Sequence, residues 1–224
     1  MRLSVVIPTW CEATTVAACV RRAAQLGDEV VVADAASTDG TGERARASGA
    51  RVVLAPRGRG PQLDVGARAA TGDVLLFLHA DTYLGAGARD AIDAALRDPA
   101  IVGGNFRLRF EPGGSWASLF AAANDLRRLA FRVYYGDSAI FVRRRAYDLL
   151  GGFGDLPLME DYAFVRRLER LGPTAYLRDV AAVSSARRFE GRPLRTLALW
   201  ALVQGLYEAG VPTPWLAKLY RDLR

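Results

Sequence analysis

The strongest constraint on the fold is a regular alternation of short apolar runs with helical segments through the first half of the chain. The apolar runs are brief, almost continuous and ended by polar or turn-forming residues, which is typical of buried strands. The predicted strands are Leu3–Ile7, Glu29–Ala33, Arg51–Leu54 and Val74–Leu78. The predicted helices are residues 14–25, Thr41–Ser48, Gln62–Ala70 and Ala86–Leu96. This pattern predicts an α/β protein with a mostly parallel sheet flanked by helices on both faces.

The second half of the chain is less regular. Its predicted strands are Asn105–Phe110 and Ser138–Val142, and its predicted helices are Trp116–Phe131, Tyr162–Leu171 and a last apolar helix within Leu194–Tyr207. Because no linker interrupts the chain, we predict a single domain over residues 1–224. Within it, residues 1–100 form a ligand-binding half, residues 101–190 a catalytic half and residues 191–224 a C-terminal helical segment.

Charge and cysteine content suggest a cytoplasmic protein that does not bind nucleic acid. The formal net charge is +6, but of the 30 basic residues only Lys218 is a lysine, which indicates codon bias towards arginine. A solvated basic surface therefore explains the charge better than a nucleic-acid site. Cys11 and Cys19 form no metal or redox motif, and no signal pattern precedes the first strand, so a reducing cytoplasm is expected.

Polar clusters follow all four strands of the first half. They are Pro8–Glu12, Asp34–Gly40, Arg57–Gly60 and His79–Asp81. Ligands of open α/β sheets bind beyond the carboxyl ends of the strands, so these clusters predict one ligand site at that edge.

The residue types at this edge restrict the class of ligand that the site can bind. Dinucleotide and P-loop fingerprints are absent from the sequence. Asp34, at a strand end, can accept hydrogen bonds from a base or a ribose. The Arg57–Gly60 loop is either a surface turn or a phosphate contact. Asp39 and Thr41 are best explained as turn and cap residues.

Four ordered stretches resemble the nucleotide-sugar domain of family 2 glycosyltransferases with the GT-A fold. They read VVIPTWCE, VVADAASTDGT, LLFLHADT and MEDYAFVRRLERLG. HADT and the later SSARRFEG resemble most a subgroup associated with arsenosugar and selenium gene neighbourhoods. The resemblance implies a Rossmann-like nucleotide-binding sheet, a less regular acceptor half and C-terminal helices.

The resemblance also implies the donor-site residues. Around the nucleoside, usually uridine, it places Pro8, Thr9, Glu12, Asp34 and Ser37. We expect the rest of the nucleotide sugar to contact Arg59, Gln62, Ala80, Asp81, Asp137 and Arg188. The chain departs from the family pattern, since Ala35 and Ala36 replace two residues of the usual Asp-Asp-Gly-Ser string.

His79-Ala80-Asp81 is the counterpart of the family's Asp-x-Asp metal motif, with histidine in place of the first carboxylate. Mn²⁺ and Mg²⁺ keep waters and substrate phosphates as ligands, so Asp81 alone can suffice. His79 is either a nitrogen ligand, a hydrogen-bond partner of a bound water or the ribose, or a histidine satisfied by backbone.

Glu160 and Asp161, the two candidate catalytic residues, stand at the start of the helix of the fourth stretch. Acids at a helix N-terminus are often only stabilising charges, worth ~0.3–1 kcal/mol. The resemblance assigns Asp161 to deprotonating the acceptor hydroxyl, with inversion at the sugar carbon. Such base catalysis contributes ~10²–10⁴-fold.

The apolar C-terminal helix is too short to span a bilayer. Core packing or a homodimer contact is its expected use, and weak peripheral association with the inner membrane face is the alternative.

The sequence thus predicts a metal-dependent inverting glycosyltransferase with a nucleotide-diphosphate sugar donor, expected to be UDP-linked. The acceptor is an unidentified small-molecule or lipid-linked hydroxyl. A sugar-nucleotide pyrophosphorylase and a non-catalytic nucleotide-sugar-binding protein are the alternatives.

Overall fold

The computed structural model of the chain describes residues 1–186 and 193–223. Its first half alternates strands and helices as the sequence predicts. The strands are β1 (Leu3–Thr9), β2 (Glu29–Asp34), β3 (Arg51–Leu54), β4 (Val74–Phe77) and a short β5 (Thr82–Leu84). The helices are α1 (Val16–Ala23), α2 (Thr41–Ala47), α3 (Arg59–Ala69) and α4 (Ala88–Ala95).

The second half adds longer elements. Its strands are β6 (Gly103–Glu111), β7 (Ile140–Arg143) and β8 (Thr174–Ser185). Its helices are α5 (Ser115–Phe131), α6 (Arg144–Leu150), α7 (Glu160–Leu171), α8 (Pro193–Glu208) and α9 (Thr213–Leu223). One turn of 3-10 helix, Gly136–Ser138, precedes β7.

The strands form one eight-stranded sheet in the order β3-β2-β1-β4-β7-β6-β8-β5. Parallel pairing joins β1 to β2 and β4, β2 to β3, and β6 to β8. Strand β7 runs antiparallel to both β4 and β6, and β5 runs antiparallel to β8. The predicted α/β class with a mostly parallel sheet is confirmed, and the sheet is continuous through both halves of the chain.

The core lies on both faces of this sheet because successive side chains of a strand point to opposite sides. Val5 and Ile7 of β1 face α1, α2 and α4 in one apolar cluster. Val6, between them, joins the cluster formed with α3, α6 and α7. In that second cluster, the rings of Phe153 and Phe164 stack with their centroids 4.4 Å apart. Burial on both faces explains why the first strands read as continuous apolar runs.

Four elements were not predicted from the sequence: β5, α6, β8 and α9. Strand β8 is only partly buried along most of its length, so it lacks both the apolar run and the clean alternation that mark a strand. Helix α7 begins at Glu160, two residues before its predicted start. No helix in residues 1–186 and 193–223 combines the length and the apolar character that crossing a bilayer needs.

Candidate active site

The carboxylate of Asp34 organises the ends of β1 and β2. It accepts hydrogen bonds from Thr9 Oγ1 at 2.9 Å, from Ser37 Oγ at 2.6 Å and from the Ser37 N–H at 2.9 Å. The Asp34 side chain is largely buried, with 7% of the residue exposed. The structure therefore brings these three predicted residues together and fixes the orientation of the carboxylate.

The loops after β1 and β2 are also tied to each other. The Cys11 N–H donates to Ser37 Oγ at 2.8 Å, and the Glu12 N–H donates to Thr41 Oγ1 at 2.8 Å. Both loops contain a non-glycine residue with positive φ, Cys11 at 55° and Ala36 at 52°. Such conformations persist where surrounding contacts impose them, and they concentrate at functional sites. The hydrogen bonds tie Pro8–Glu12 and Asp34–Ser37 into one rigid edge.

Asp39 and Thr41 have the predicted turn role. The Asp39 carboxylate accepts hydrogen bonds from the Thr41 hydroxyl, the Thr41 N–H and the Ala13 N–H. The bond from the Thr41 hydroxyl is the main cause that lowers the pKa of this exposed carboxyl group. The turn is thus stabilised by hydrogen bonds within the protein.

Gln62 supports this edge from the inside. Its buried amide nitrogen donates to the carbonyl of Thr9 at 2.7 Å and to the carbonyl of Ala33 at 3.0 Å. Both N–H groups of the amide therefore donate hydrogen bonds to the C-terminal ends of β1 and β2. Gln62 was predicted to contact the nucleotide sugar. In the structure its amide holds these two strand ends in place.

Trp10 is a residue of this edge that the sequence analysis did not select. It is 47% exposed, and the Arg57 guanidinium lies 3.6 Å from the centre of its ring. A tryptophan placed among the loop residues directly after a predicted strand is the signal that could have found it, because large aromatic residues more often lie in the core. Its ring offers a flat stacking surface next to the loop of Asp34.

His79 and Asp81, separated only by Ala80, border different cavities. His79 lines a cavity, called here the central cavity, with Asp161, Asp137, Arg59 and residues of α5, α8 and α9. Ala80 and Asp81 line a second cavity beside Thr14, Thr15 and Arg22 of the α1 region. The chain turns between them, since the Thr82 N–H donates to the His79 carbonyl.

Asp161 is held by backbone donors at the start of α7. Its carboxylate accepts hydrogen bonds from the Gly136 N–H at 2.9 Å and from the N–H of the following residue, Tyr162, at 2.7 Å. Gly136 lies between Asp161 and His79: a β-carbon on this glycine would lie 2.8 Å from His79 Nε2 and 3.4 Å from Asp161 Oδ2. The absence of a side chain there lets the two groups approach each other.

Glu160 has a different environment from Asp161. It forms an ion pair with Arg59, with 2.9 Å between Glu160 Oε1 and Arg59 Nη1. Burial raises the pKa of Glu160, and the charge of Arg59 opposes this rise. Burial alone would lower the pKa of Arg59, but the charges of Glu160 and Asp161 outweigh it and raise the pKa. The pair joins α3 to α7, and Asp161 is left as the acid of the two that lines the central cavity.

The remaining wall of the central cavity comes from the C-terminal helices, which the sequence analysis had assigned to packing, a dimer or a membrane. Trp200, Val203 and Gln204 of α8 and Tyr220 of α9 line it. The Tyr135 hydroxyl donates to Gln204 Oε1 at 2.7 Å, which ties α8 to the segment before β7. Asp137 lies in this cavity, whereas Arg188, predicted as a phosphate contact, lies outside the described residues.

The positions of the acidic residues and of His79 restrict a metal site to one with few protein ligands. Within residues 1–186 and 193–223, no three His, Cys, Asp or Glu side chains group closely enough to hold an ion. Asp81 supplies one carboxylate at the end of β4, which suits Mn²⁺ or Mg²⁺ because these ions accept substrate phosphates and waters as their other ligands.

Solved structures of glycosyltransferases resemble this fold. S. aureus TarS superposes with a TM-score of 0.65 at 18% identity, over 83% of this chain and 37% of TarS. Glucosyl-3-phosphoglycerate synthase from Mycobacterium tuberculosis, in complex with Mn²⁺, UDP-glucose and phosphoglyceric acid, gives 0.62 at 23% identity, over 94% of this chain and 80% of that one. Mannosyl-3-phosphoglycerate synthase from Rubrobacter xylanophilus gives 0.56 at 19%, over 94% and 75%.

At these identities the likeness shows the fold alone, and this chain spans little more than a third of TarS. The predicted GT-A fold is confirmed. A comparison with curated proteins gives no significant match. The sequence profile described as Glycosyl transferase family 2 matches residues 4–149, well over half of the chain. The prediction of a glycosyltransferase is therefore confirmed at the level of the family: the chain belongs to glycosyl transferase family 2.

Proposed function

We propose that the protein is a metal-dependent inverting glycosyltransferase that moves a sugar from a UDP-linked donor to an acceptor hydroxyl. The observation that carries the proposal is the position of Asp161, a largely buried carboxylate that lines the central cavity beside His79. Two backbone N–H groups fix the orientation of this carboxylate, and a general base must be held within reach of the proton that it accepts.

The donor binds along the edge formed by Thr9, Asp34 and Ser37. Asp34 accepts hydrogen bonds from the nucleoside, and Trp10 offers its exposed ring to the base. Asp81 would hold the divalent cation of the site. When bound, the ion neutralises charge on the leaving nucleoside diphosphate. The Mn²⁺ and UDP-glucose of the mycobacterial synthase agree with this choice of donor and ion.

Transfer then needs one proton acceptor. The acceptor hydroxyl gives its proton to the Asp161 carboxylate while its oxygen bonds to the anomeric carbon. The bond from that carbon to the diphosphate breaks, and the diphosphate leaves with the electron pair. Because attack and departure occur on opposite faces, the configuration inverts. Asp137 borders the sugar, and the pair of Arg59 with Glu160 positions Asp161 at the start of α7.

The finer assignments belong to the same proposal. The acceptor is a small-molecule or lipid-linked hydroxyl, and the protein acts in the cytoplasm, with at most weak contact to the inner membrane face. A homodimer through the C-terminal helices is compatible with their exposed apolar residues. The arsenosugar- and selenium-associated subgroup stays a prediction.

A thermal-shift panel of UDP, GDP, CDP and dTDP, each with and without Mn²⁺, tests the donor assignment. A ligand that binds only the folded state raises the unfolding temperature. We expect the largest shift for UDP with Mn²⁺. A larger shift for GDP would overturn the choice of base, and shifts of equal size without metal would remove the role of Asp81.

A further inference from the structure

Among the residues that the structure describes, one arginine of the central cavity has no ionic partner. Arg127 of α5 lines the cavity together with Asp161, and its guanidinium makes no hydrogen bond or ion pair with any described residue. The other arginine of the cavity, Arg59, is paired with Glu160. The next residue along α5, Arg128, is buried against Asn105 and Thr174 and pairs with Glu169. Arg127 is thus the cavity arginine whose charge is not paired with an acidic group among the described residues.

A half-buried guanidinium in this state favours an anionic ligand. Its five N–H donors are arranged to meet planar or tetrahedral oxyanions, and a charge partly removed from water gains most from a counter-ion. The abundance of surface arginine does not explain Arg127, because its side chain is partly buried and lines a cavity.

The location of Arg127 assigns this anion to the acceptor, on the basis of the function proposed above. Arg127 belongs to α5, and Trp200 and Val203 of α8 line the same cavity, whereas the loops of the nucleotide site reach this cavity only through Arg59 and His79. Arg127 and Asp161 both act on the Tyr135 hydroxyl: burial raises the pKa of Tyr135, the charge of Arg127 opposes the rise and that of Asp161 adds to it. The guanidinium and the base therefore lie in the same cavity as Tyr135.

We propose that the acceptor is a small hydroxy compound carrying an oxyanion, either a phosphate ester or a carboxylate. Arg127 binds the oxyanion, and the hydroxyl lies at Asp161. The apolar surfaces of Trp200 and Val203 contact the carbon skeleton between the two polar ends. Arg127 is then a specificity-determining residue that separates anionic acceptors from neutral ones.

The test uses small probes on the full chain saturated with UDP and Mn²⁺, so that the donor phosphate positions are filled. Glycerol 3-phosphate, glycerate and glycerol are titrated against the wild type, Arg127→Gln and Arg97→Gln. Arg97 is an exposed arginine outside the central cavity and serves as the matched control. We expect at least one of the two anionic probes to bind, glycerol not to bind, and affinity for the anionic probe to fall at least about tenfold in Arg127→Gln alone. Circular dichroism and UDP affinity report whether Arg127→Gln is folded.

Each outcome of the titration either supports or overturns the proposal. Binding of the phosphate but not the carboxylate identifies an ester, and the reverse identifies an acid. Equal affinity in wild type and Arg127→Gln, equal loss in Arg97→Gln, binding of glycerol as strong as that of the anions, or no binding of either anion to the wild type would overturn it. If UDP itself fails to bind, the proposed function fails, and the same titration without UDP still tests whether anion binding depends on Arg127.

Discussion

Asp81 and Asp161 border different cavities, so we expect their removal to affect different steps. Asp81→Ala should weaken Mn²⁺-dependent UDP binding by at least about tenfold, equivalent to about 1.4 kcal/mol, because the ion loses its protein ligand. Asp161→Asn should leave UDP affinity unchanged and lower kcat by about 10²–10⁴-fold, because the amide cannot accept the proton. Titration calorimetry with UDP and Mn²⁺, alongside turnover, separates the two effects.

The amide of Asp161→Asn is nearly the size of the carboxylate, so it serves as its own control for packing. If Asp161 only stabilises the start of α7, this variant should lose a little stability and keep nearly normal turnover. Turnover like that of the wild type would rule out the catalytic assignment, whatever the metal does.

Gly136 gives a second prediction at the level of one residue. A methyl group there would lie 2.8 Å from His79 Nε2, so Gly136→Ala should displace the imidazole and disturb the hydrogen bond from the Gly136 N–H to Asp161. We expect at least a tenfold loss of turnover with little change in the unfolding temperature. Gly113→Ala is the control, since no atom lies within 4 Å of its added methyl group. Equal turnover of the two variants would contradict a functional role for the close packing of His79 and Asp161 around Gly136.

At the scale of elements, the ion pair of Arg59 with Glu160 joins α3 to α7. Glu160 is almost fully buried, with 4% of its side chain exposed, whereas Arg59 retains 37%. Removing one partner of a buried pair costs about 3–5 kcal/mol, and partial solvation of Arg59 reduces the expected cost of Arg59→Gln to about 1–3 kcal/mol.

The loss in Arg59→Gln should depend on pH. Burial already raises the pKa of Glu160 above its value in the unfolded chain, and loss of Arg59 raises it further. A carboxyl group whose pKa is raised by folding favours the folded state when protonated, so its contribution is present at low pH and lost as pH rises through the folded pKa. Unfolding measured between pH 5 and 8 should show a steeper loss in Arg59→Gln than in the wild type. The double variant Arg59→Gln, Glu160→Gln has no ionisable side chain at either position, so the extra loss of stability with rising pH should disappear. If that extra loss remains, Glu160 is not its cause.

The elements also show which parts of the structure a sequence can reveal. Strands β1, β2 and β4 were predicted because burial on both faces gives each of them a continuous apolar run. Strand β8 was not, because its half-exposed surface leaves no such pattern. The cluster of Thr9, Asp34 and Ser37 could be predicted from the strand ends alone. The central cavity also needs Arg127 of α5 and Trp200 of α8, which only tertiary packing brings into one cavity with Asp161. The separation of His79 from Asp81 depends on the turn closed by Thr82, which residue types do not specify.

At the scale of the whole molecule, large apolar residues are exposed on α5 and also on the C-terminal helices. Leu194, Leu202 and Trp215 are 65%, 46% and 68% exposed, and Arg195 lies near the first of them. Such a surface favours anionic lipid at about 1 kcal/mol per basic residue, which predicts at most weak binding to vesicles. Cosedimentation with anionic vesicles should be slight at low salt and vanish at high salt. Binding that survives high salt would show a stronger, apolar attachment.

The strand order of the sheet has a consequence for dividing the protein. Strand β8 lies between β6 and β5, yet it comes after the segment that the family profile matches. A fragment ending at residue 149 would expose the backbone of β6 along its whole length and leave β5 without its neighbour, and open edges of this kind promote aggregation. The boundary of sequence similarity is therefore not the boundary of an autonomous folding unit, and any transplant or truncation that keeps the loops after β1 and β2 must also retain residues 174–185.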